Sequence, residues 1–489
     1  MVSAISRRAA LGLPLAAFAN SNQYPSWKLI GPWGGSARAI RLDARKPETM
    51  LALTMRGTGV FRSRDAGENW QELTKFPRLE GARLDCAMIV AAKWLVGAAP
   101  GGVWVSEDEG ENWRVVAGTE KLSVYAMTSW PKDARVMALG TDRGVWQSHD
   151  AGRTWKRSSP ASIPDLAAIV SVAYDPTRAG TLYAGTPHLP WKTSDGGTTW
   201  RKAHTGMYDD SDIFSIAVDP ALPTRVFASA CSGIYCSLNG GGAWRRAQGI
   251  PGTNRRTYVV AQDPHDAKRV YAGTSAGMWA SLDHGEKWEK RNEYVVTSIA
   301  FHPRIKDCFY ISTERHGLLW TRDAGKTFEE RHKGFVSRSP QGVVAQESGW
   351  RLAGELERLD DGVSGPDKAY ETRRDPFDAK RLWAASPRGL EESRDGGRTW
   401  KRVDGGLGEG WIRSFTFDPK RKGRAFALRG QRVFWTRDGG QSWYWLPAQE
   451  DVPSRFRRLD MLPTEEGLLF SASEDRGLFV YSFIENPLE

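Results

Sequence analysis

The residues best equipped for chemistry cluster in HTGMYDDSDIF (204–214), which sets Tyr208, Asp209, Asp210 and Asp212 side by side. Two neighbouring carboxylates are the equipment of glycoside hydrolysis, one as acid and the other as base or nucleophile. The same stretch also reads as a solvated acidic loop in which Asp212 caps the entry to a strand. A second cluster, Thr313-Glu314-Arg315-His316-Gly317, puts an acid, a guanidinium and an imidazole in one turn. Arg56, Arg143, Arg388 and Arg476 fall at equivalent turns elsewhere, and Arg255 and Arg256 lie at a junction between repeats. Together these would make an arginine-lined mouth for carboxylate or other anionic ligands, because a guanidinium pairs with a carboxylate in bidentate fashion. Scattered solubilising charge is the competing reading.

A larger set of carboxylates recurs too regularly to be catalytic. The phrase S/T-x-D-x-G-x-x-W appears nine times, as SRDAGENW (63–70), SEDEGENW (106–113), SHDAGRTW (148–155), TSDGGTTW (193–200), SLNGGGAW (237–244), SLDHGEKW (281–288), TRDAGKTF (321–328), SRDGGRTW (393–400) and TRDGGQSW (436–443). Its third position is Asp65, Asp108, Asp150, Asp195, Asn239, Asp283, Asp323, Asp395 and Asp438. The Ser or Thr and the Asp can both hydrogen-bond the backbone of the turn they open. The Gly at the fifth position supplies a positive φ without steric cost. Asn239 keeps the acceptor and loses the charge, which a turn tolerates and a catalytic carboxylate does not. Eight copies end in Trp and the ninth in Phe328, as a packing plug would.

The elements that carry these phrases repeat as well. Successive third positions lie 40 to 45 residues apart, except for the 72 between Asp323 and Asp395. IFSIAVDPALPTRVFASACSGIYCSLNGGGAW (213–244) and TYVVAQDPHDAKRVYAGTSAGMWASLDHGEKW (257–288) align throughout. Each has a β-rich run ending at Asp-Pro, a second run, a Gly-containing hairpin, a third run into the repeated turn, and a short fourth strand opened by the Trp. Four short antiparallel strands in this period make a β-propeller blade. The chain is therefore expected to be all-β, with nine such units and a tenth blade made by FRRLDMLPTEEGLLFSASEDRGLFVYSF (456–483) completed by WKLIGP (27–32). One ten-bladed ring closed by that N-terminal strand is the primary expectation, and two smaller tandem propellers are the alternative. Residues 340–368 read as an eroded blade or an insertion.

This phrase resembles the Asp-box, or BNR repeat, of sialidases, sortilin-type receptors, xyloglucan-degrading glycosidases and photosystem II assembly factors. The resemblance covers residues 24–485 and implies a propeller whose Asp-box turns lie between strands three and four. The functional face would then be the opposite one, carrying the hairpins between strands two and three. It also implies that a sortilin-like ring has ten blades. Sialidase activity is not expected: Phe76-Pro77-Arg78-Leu79 is not that family's Arg-Ile-Pro, and its Tyr-Glu pair is not identifiable. The expected function is a non-catalytic propeller binding a protein or glycan partner. The alternative is a xyloglucanase-like glycoside hydrolase using Asp209 and Asp210.

Composition narrows the remaining classes. The 489 residues are 40% hydrophobic, with 22 Trp and 51 Gly, and no apolar run reaches the ~18 residues that span a bilayer. MVSAISRRAALGLPLAAFAN begins with Arg7-Arg8, an apolar stretch and Ala17-Phe18-Ala19, so residues 1–19 are expected to be an export signal of twin-arginine type. The mature protein is expected in the periplasm or secreted, as a monomer. The formal charge of +10 falls by two to +8 when Arg7 and Arg8 leave. No nucleic-acid-binding motif accompanies it. Four cysteines are too few for a disulfide framework, although Cys231 and Cys236 could bridge a hairpin. The eight histidines have no metal-ligand spacing, and neither metal nor cofactor is expected.

Overall fold

The computed structural model describes residues 27–31, 34–55, 57–209, 211–251, 256–337, 343–346, 349–352, 365–367, 369–446, 456–462, 467–473 and 477–482. The expected leader at 1–19, most of 340–368, and the candidate residues Arg56, Asp210, Arg255 and Arg476 lie outside them. Among the described residues the chain is almost wholly β, with ten four-stranded antiparallel sheets. No helix among them is long and apolar enough to cross a membrane.

Two compact units divide the chain, one of residues 33–337 and one of residues 1–32 with 338–489. The 33–337 unit holds seven sheets, blades 1 to 7, each in simple chain order. Their innermost strands are Ala37–Leu42, Arg83–Val90, Val124–Trp130, Ser171–Asp175, Ile213–Val218, Thr257–Gln262 and Val296–Phe301. Blade 7 meets blade 1 directly. Thr297 Oγ1 donates to Ala37 O at 2.7 Å, Tyr310 OH to Ala66 O at 3.1 Å, and Trp70 Nε1 to Arg331 O at 2.8 Å. Gly34–Gly35 pairs in parallel with Val336–Ser337 where the chain comes into and leaves the unit. The ring thus closes at seven, so the described residues hold the expected ten four-stranded blades but not in one ten-bladed ring; the chain is divided between two smaller assemblies. With blade 7 packed on blade 1, each of the seven sheets is covered by a neighbour on both faces, so no blade face is left for an eighth blade to cover.

The other unit contains blades 8 to 10, with innermost strands Glu371–Asp375, Ile412–Phe417 and Phe456–Asp460. Blade 10 is completed by Lys28–Gly31, which pairs antiparallel with Leu478–Ser482. Trp27 is buried against Phe456 and Tyr481, with ring centroids 4.7 and 5.6 Å away. Within 340–368, Val343–Gln346 and Gly349–Leu352 form a two-stranded antiparallel hairpin.

Blade-to-blade packing in the seven-bladed ring depends on glycines behind the inner strands of blades 2, 3, 4 and 6, at Gly97, Gly140, Gly185 and Gly273. A Cβ at Gly185 would lie 2.6 Å from Ile213 O, and one at Gly273 would lie 2.3 Å from Val296 O. Those backbones belong to the next blade's innermost strand, so only glycine lets them approach.

The repeated turn is structural. Ser63 Oγ accepts the Gly67 N–H at 2.9 Å, and Asp65 Oδ1 accepts from Ser63 Oγ and the Asn69 N–H at 2.8 and 2.9 Å. Asn239 reproduces the pattern through its amide oxygen, accepting from Ser237 Oγ at 2.9 Å and the Ala243 N–H at 2.7 Å. Gly67 has φ 85° as expected, and the preceding Ala66 is left-handed too, at φ 57°. The Thr199 hydroxyl and N–H, then the Thr193 hydroxyl, hold Asp195 down at about 2. Cys231 and Cys236 are not joined by a disulfide, so the bridge that the sequence allowed is not formed. The register sets Cys236 opposite Phe227, while Cys231 lies at the hairpin end and accepts the Asp212 N–H at 3.3 Å.

Candidate functional site

The first residues of the inner strands create the site. In blades 1, 3, 5, 6 and 7 the pairing with the second strand slips just after its first residue pair, and in blade 2 after its second, each time leaving one residue unpaired. Those residues are Arg38, Asp85, Tyr125, Phe214, Tyr258 and Thr297. A bulge re-aims its extra side chain, and all six line one cavity of about 640 Å³ inside the seven-bladed ring. Met55, Pro187 and Glu314, from hairpins between second and third strands, line it as well, as do Ala168 and Val170 from a blade junction. The cavity therefore opens on the face opposite this ring's seven repeated turns. A second cavity of about 390 Å³, lined by Leu42, Ala44, Phe301 and Pro303, lies toward the other end of the inner strands. The two share Arg41, Val259 and Ser298.

Arg41 bolts the ring together at that level. Its Nε donates to Ala87 O of blade 2 at 2.9 Å and its Nη1 to Ser298 Oγ of blade 7 at 2.8 Å. Burial holds its pKa below the usual arginine value. Cys86 also lines the cavity, and burial beside Asp85 pushes its thiol up to about 12, so it is not a nucleophile at neutral pH.

Charge is confined to one arc of the mouth. Asp85, its side chain 3% exposed, accepts Arg38 Nη2 at 2.9 Å and Arg83 Nε at 2.7 Å. Both arginines are far more exposed, at 39% and 60%, and the Arg83 guanidinium stands 5.7 Å over the Tyr125 ring. Across the ring, blades 4 to 6 contribute Val170, Val172, Phe214, Ile216 and Tyr258. Phe214 and Tyr258 have centroids 6.5 Å apart.

Of the candidate residues read from sequence and described here, Glu314 alone lines this cavity. Tyr208 is 62% exposed, and Asp209 is exposed beside it. Arg143 lies 4.0 Å from Asp142, and His316 stands edge-on to Tyr294 at 5.0 Å. Arg256, Arg315 and Arg388 are exposed, and Asp212 is half-buried by the Cys231 hairpin. The arginines at the mouth are Arg38 and Arg83 instead. Aligning inner strands would have exposed them, because blades 3, 5, 6 and 7 carry Tyr125, Phe214, Tyr258 and Thr297 where blades 1 and 2 carry Arg38 and Asp85. Among the described residues no group of three His, Cys, Asp or Glu side chains could hold a metal ion.

The architecture is a β-propeller. The chain superposes on the GH74 xyloglucanase from Xanthomonas campestris with a TM-score of 0.60 at 16% identity, covering 94% of this chain and 87% of that one. It matches a GH74 enzyme from Niastella koreensis with a TM-score of 0.57 at 15% identity, over 92% and 79% of the two chains. An ancestral GH74 enzyme gives 0.55 at 17% identity, over 92% and 68%. Identities this low carry the fold and nothing about the reaction. No family model matches the chain, and no curated protein matches it.

Proposed function

We propose that this is an exported, non-catalytic binding propeller of the Asp-box type. Its partner, a protein or a glycan, is taken up at the mouth of the 33–337 ring, on the face opposite the repeated turns. In this reading residues 1–19 are the export signal, 24–485 the mature propeller and 340–368 an eroded blade or an insertion within it. One observation carries it: among the described residues lining the mouth the carboxylates are Asp85, locked between Arg38 and Arg83, and the hairpin residue Glu314. A retaining or inverting glycosidase needs two carboxyl groups facing each other, one of them free to exchange protons. Asp85 is committed to ion pairs and Asp209 does not line the cavity. The test is a glycan array together with a polysaccharide-hydrolysis screen on the mature protein, Asp209→Asn and Asp210→Asn. Binding without hydrolysis is expected. Hydrolysis by the parent that disappears in either variant overturns the reading in favour of a glycoside hydrolase.

A further inference from the structure

The mouth is amphipathic around its circumference, and that asymmetry specifies a ligand. On the blade 1–2 arc, Asp85 occupies one N–H of Arg38 and one of Arg83. A guanidinium carries five N–H donors. The two half-exposed arginines therefore present further donors to the cavity around a carboxylate too small to satisfy them both. On the opposite arc the lining is Val170, Val172, Phe214 and Ile216, with Tyr258 beside Phe214. Tyr125, lying between the arcs, has the Arg83 guanidinium over its face. A neutral sugar would leave the arginines unanswered, and a polyanion would lie against the apolar arc. The size, about 640 Å³, suits a small molecule or a few residues of peptide.

Resting on the reading of the mouth as a binding site, we propose that it takes a carboxylate carried at the end of an apolar chain. The carboxylate sits on Arg38 and Arg83, and the apolar body lies along Phe214, Val172 and Tyr258. Two sources present that chemistry: a free alkyl or aryl carboxylic acid, and a peptide ending in apolar residues. Arg38 and Arg83 come from adjacent blades and Phe214 and Tyr258 from the far side of the mouth, so the whole site needs the closed ring. Asp85 acts as its spacer, holding the two guanidinium groups together against their mutual repulsion while attenuating their pull on the ligand.

Calorimetric titration of the full mature chain tests this with four probes: decanoate, decanol, and the hexapeptide Gly-Ser-Gly-Val-Leu-Phe with a free or an amidated C-terminus. A free acid binding at least tenfold more tightly than its neutral partner is the expected result, and whichever pair shows it names the source. Arg38→Ala and Arg83→Ala should each weaken that acid about tenfold, consistent with loss of a charge-assisted contact. Phe214→Ala should weaken the acid and its neutral partner alike. Asp85→Asn should tighten the acid several-fold, a gain that damage to the fold could not produce. Circular dichroism and thermal unfolding check that each variant is folded. Ser215→Trp, which fills the cavity, should abolish binding. Equal binding of acid and neutral partner, no binding of any probe, or acid binding indifferent to Arg38→Ala and Arg83→Ala, overturns the carboxylate inference. The broader reading survives those results if a partner from the array is still blocked by Ser215→Trp. Binding that Ser215→Trp leaves intact overturns both.

Discussion

The inner walls of the two units are both built from innermost strands and filled in opposite ways. Just past the bulge, the seven-bladed ring carries small or slim side chains, including Ala39, Cys86, Ala126, Ser215, Val259 and Ser298, and a cavity remains. In blades 8 and 10 the inner strands carry Glu371, Arg373, Arg458 and Asp460, and these knit together. Arg373 Nη2 reaches Glu371 Oε1 and Asp460 Oδ1, both at 2.8 Å, and its Nη1 reaches Thr416 Oγ1 at 3.2 Å. Arg458 bonds the same two carboxylates at 3.3 and 3.1 Å. Burial works against the Arg373 charge, but Glu371 and Asp460 more than offset it and its pKa is raised. An inner wall can thus be an open mouth or a cross-braced seam. Side-chain size and charge at a few positions decide which.

Breaking the seam should have the largest effect. Arg373→Ala takes from the buried Glu371 and Asp460 the guanidinium they share at 2.8 Å, and should cost about 3 kcal/mol. Hydrogen exchange should show the loss in blades 8 to 10 and leave blades 1 to 7 protected; a uniform loss would refute independent seams. Replacing the set with Glu371→Leu, Arg373→Met, Arg458→Met and Asp460→Leu should bring stability back to within about 1 kcal/mol of the parent, since well-packed apolar groups often match a buried ion network. A denaturant titration comparing the two variants separates these cases.

In the seven-bladed ring the corresponding brace is Arg41. Arg41→Met removes the donors to Ala87 O and Ser298 Oγ, and should cost about 1 to 2 kcal/mol, with exchange rising where blades 7, 1 and 2 meet. Acid should also distinguish the units. Asp108, Asp150, Asp195 and Asp323 are held at about 2, against an ordinary aspartate near 3.8. A carboxylate depressed in the folded state stabilises fully above the unfolded pKa and loses that contribution as pH falls through the folded one. The turn contribution should therefore vanish between about pH 4 and pH 2. Six aspartate turns lie in 33–337 and two, at Asp395 and Asp438, in the other unit, so exchange in this window should rise more in the ring. Asn239→Asp is the smallest change. It should alter stability at pH 7 by less than about 0.5 kcal/mol, because the Asn239 amide oxygen already accepts the turn's hydrogen bonds. It should also add one more acid-sensitive turn in blade 5.

Much of the fold was legible because the repeat states its own rule. Ser, Asp, Gly and Trp at fixed offsets define a turn by local hydrogen bonds, and local bonds need no knowledge of the rest of the chain. The union of WKLIGP with 456–483 followed from the same count of strands. The candidate site was much less legible. Charged loops such as Tyr208–Asp212 draw attention by composition, yet the cavity is lined mainly from inner strands whose runs ARAIRL and RLDCAMIV look like ordinary β-sequence. Arg38 and Asp85 become mouth residues through bulges, and a bulge is a slip in register between two strands that neither strand announces alone.

The sequence by itself determined the blade, its four strands and the turn that closes it, because in the repeated units each depends on contacts within about forty residues. Tertiary structure decided where the ring shuts. Closure depends on the angle each blade makes with the next, set by approaches such as Gly185 to Ile213 and Gly273 to Val296 and summed over seven blades. That sum brings Thr297 to Ala37 and, with it, gathers bulged residues from six blades around one opening.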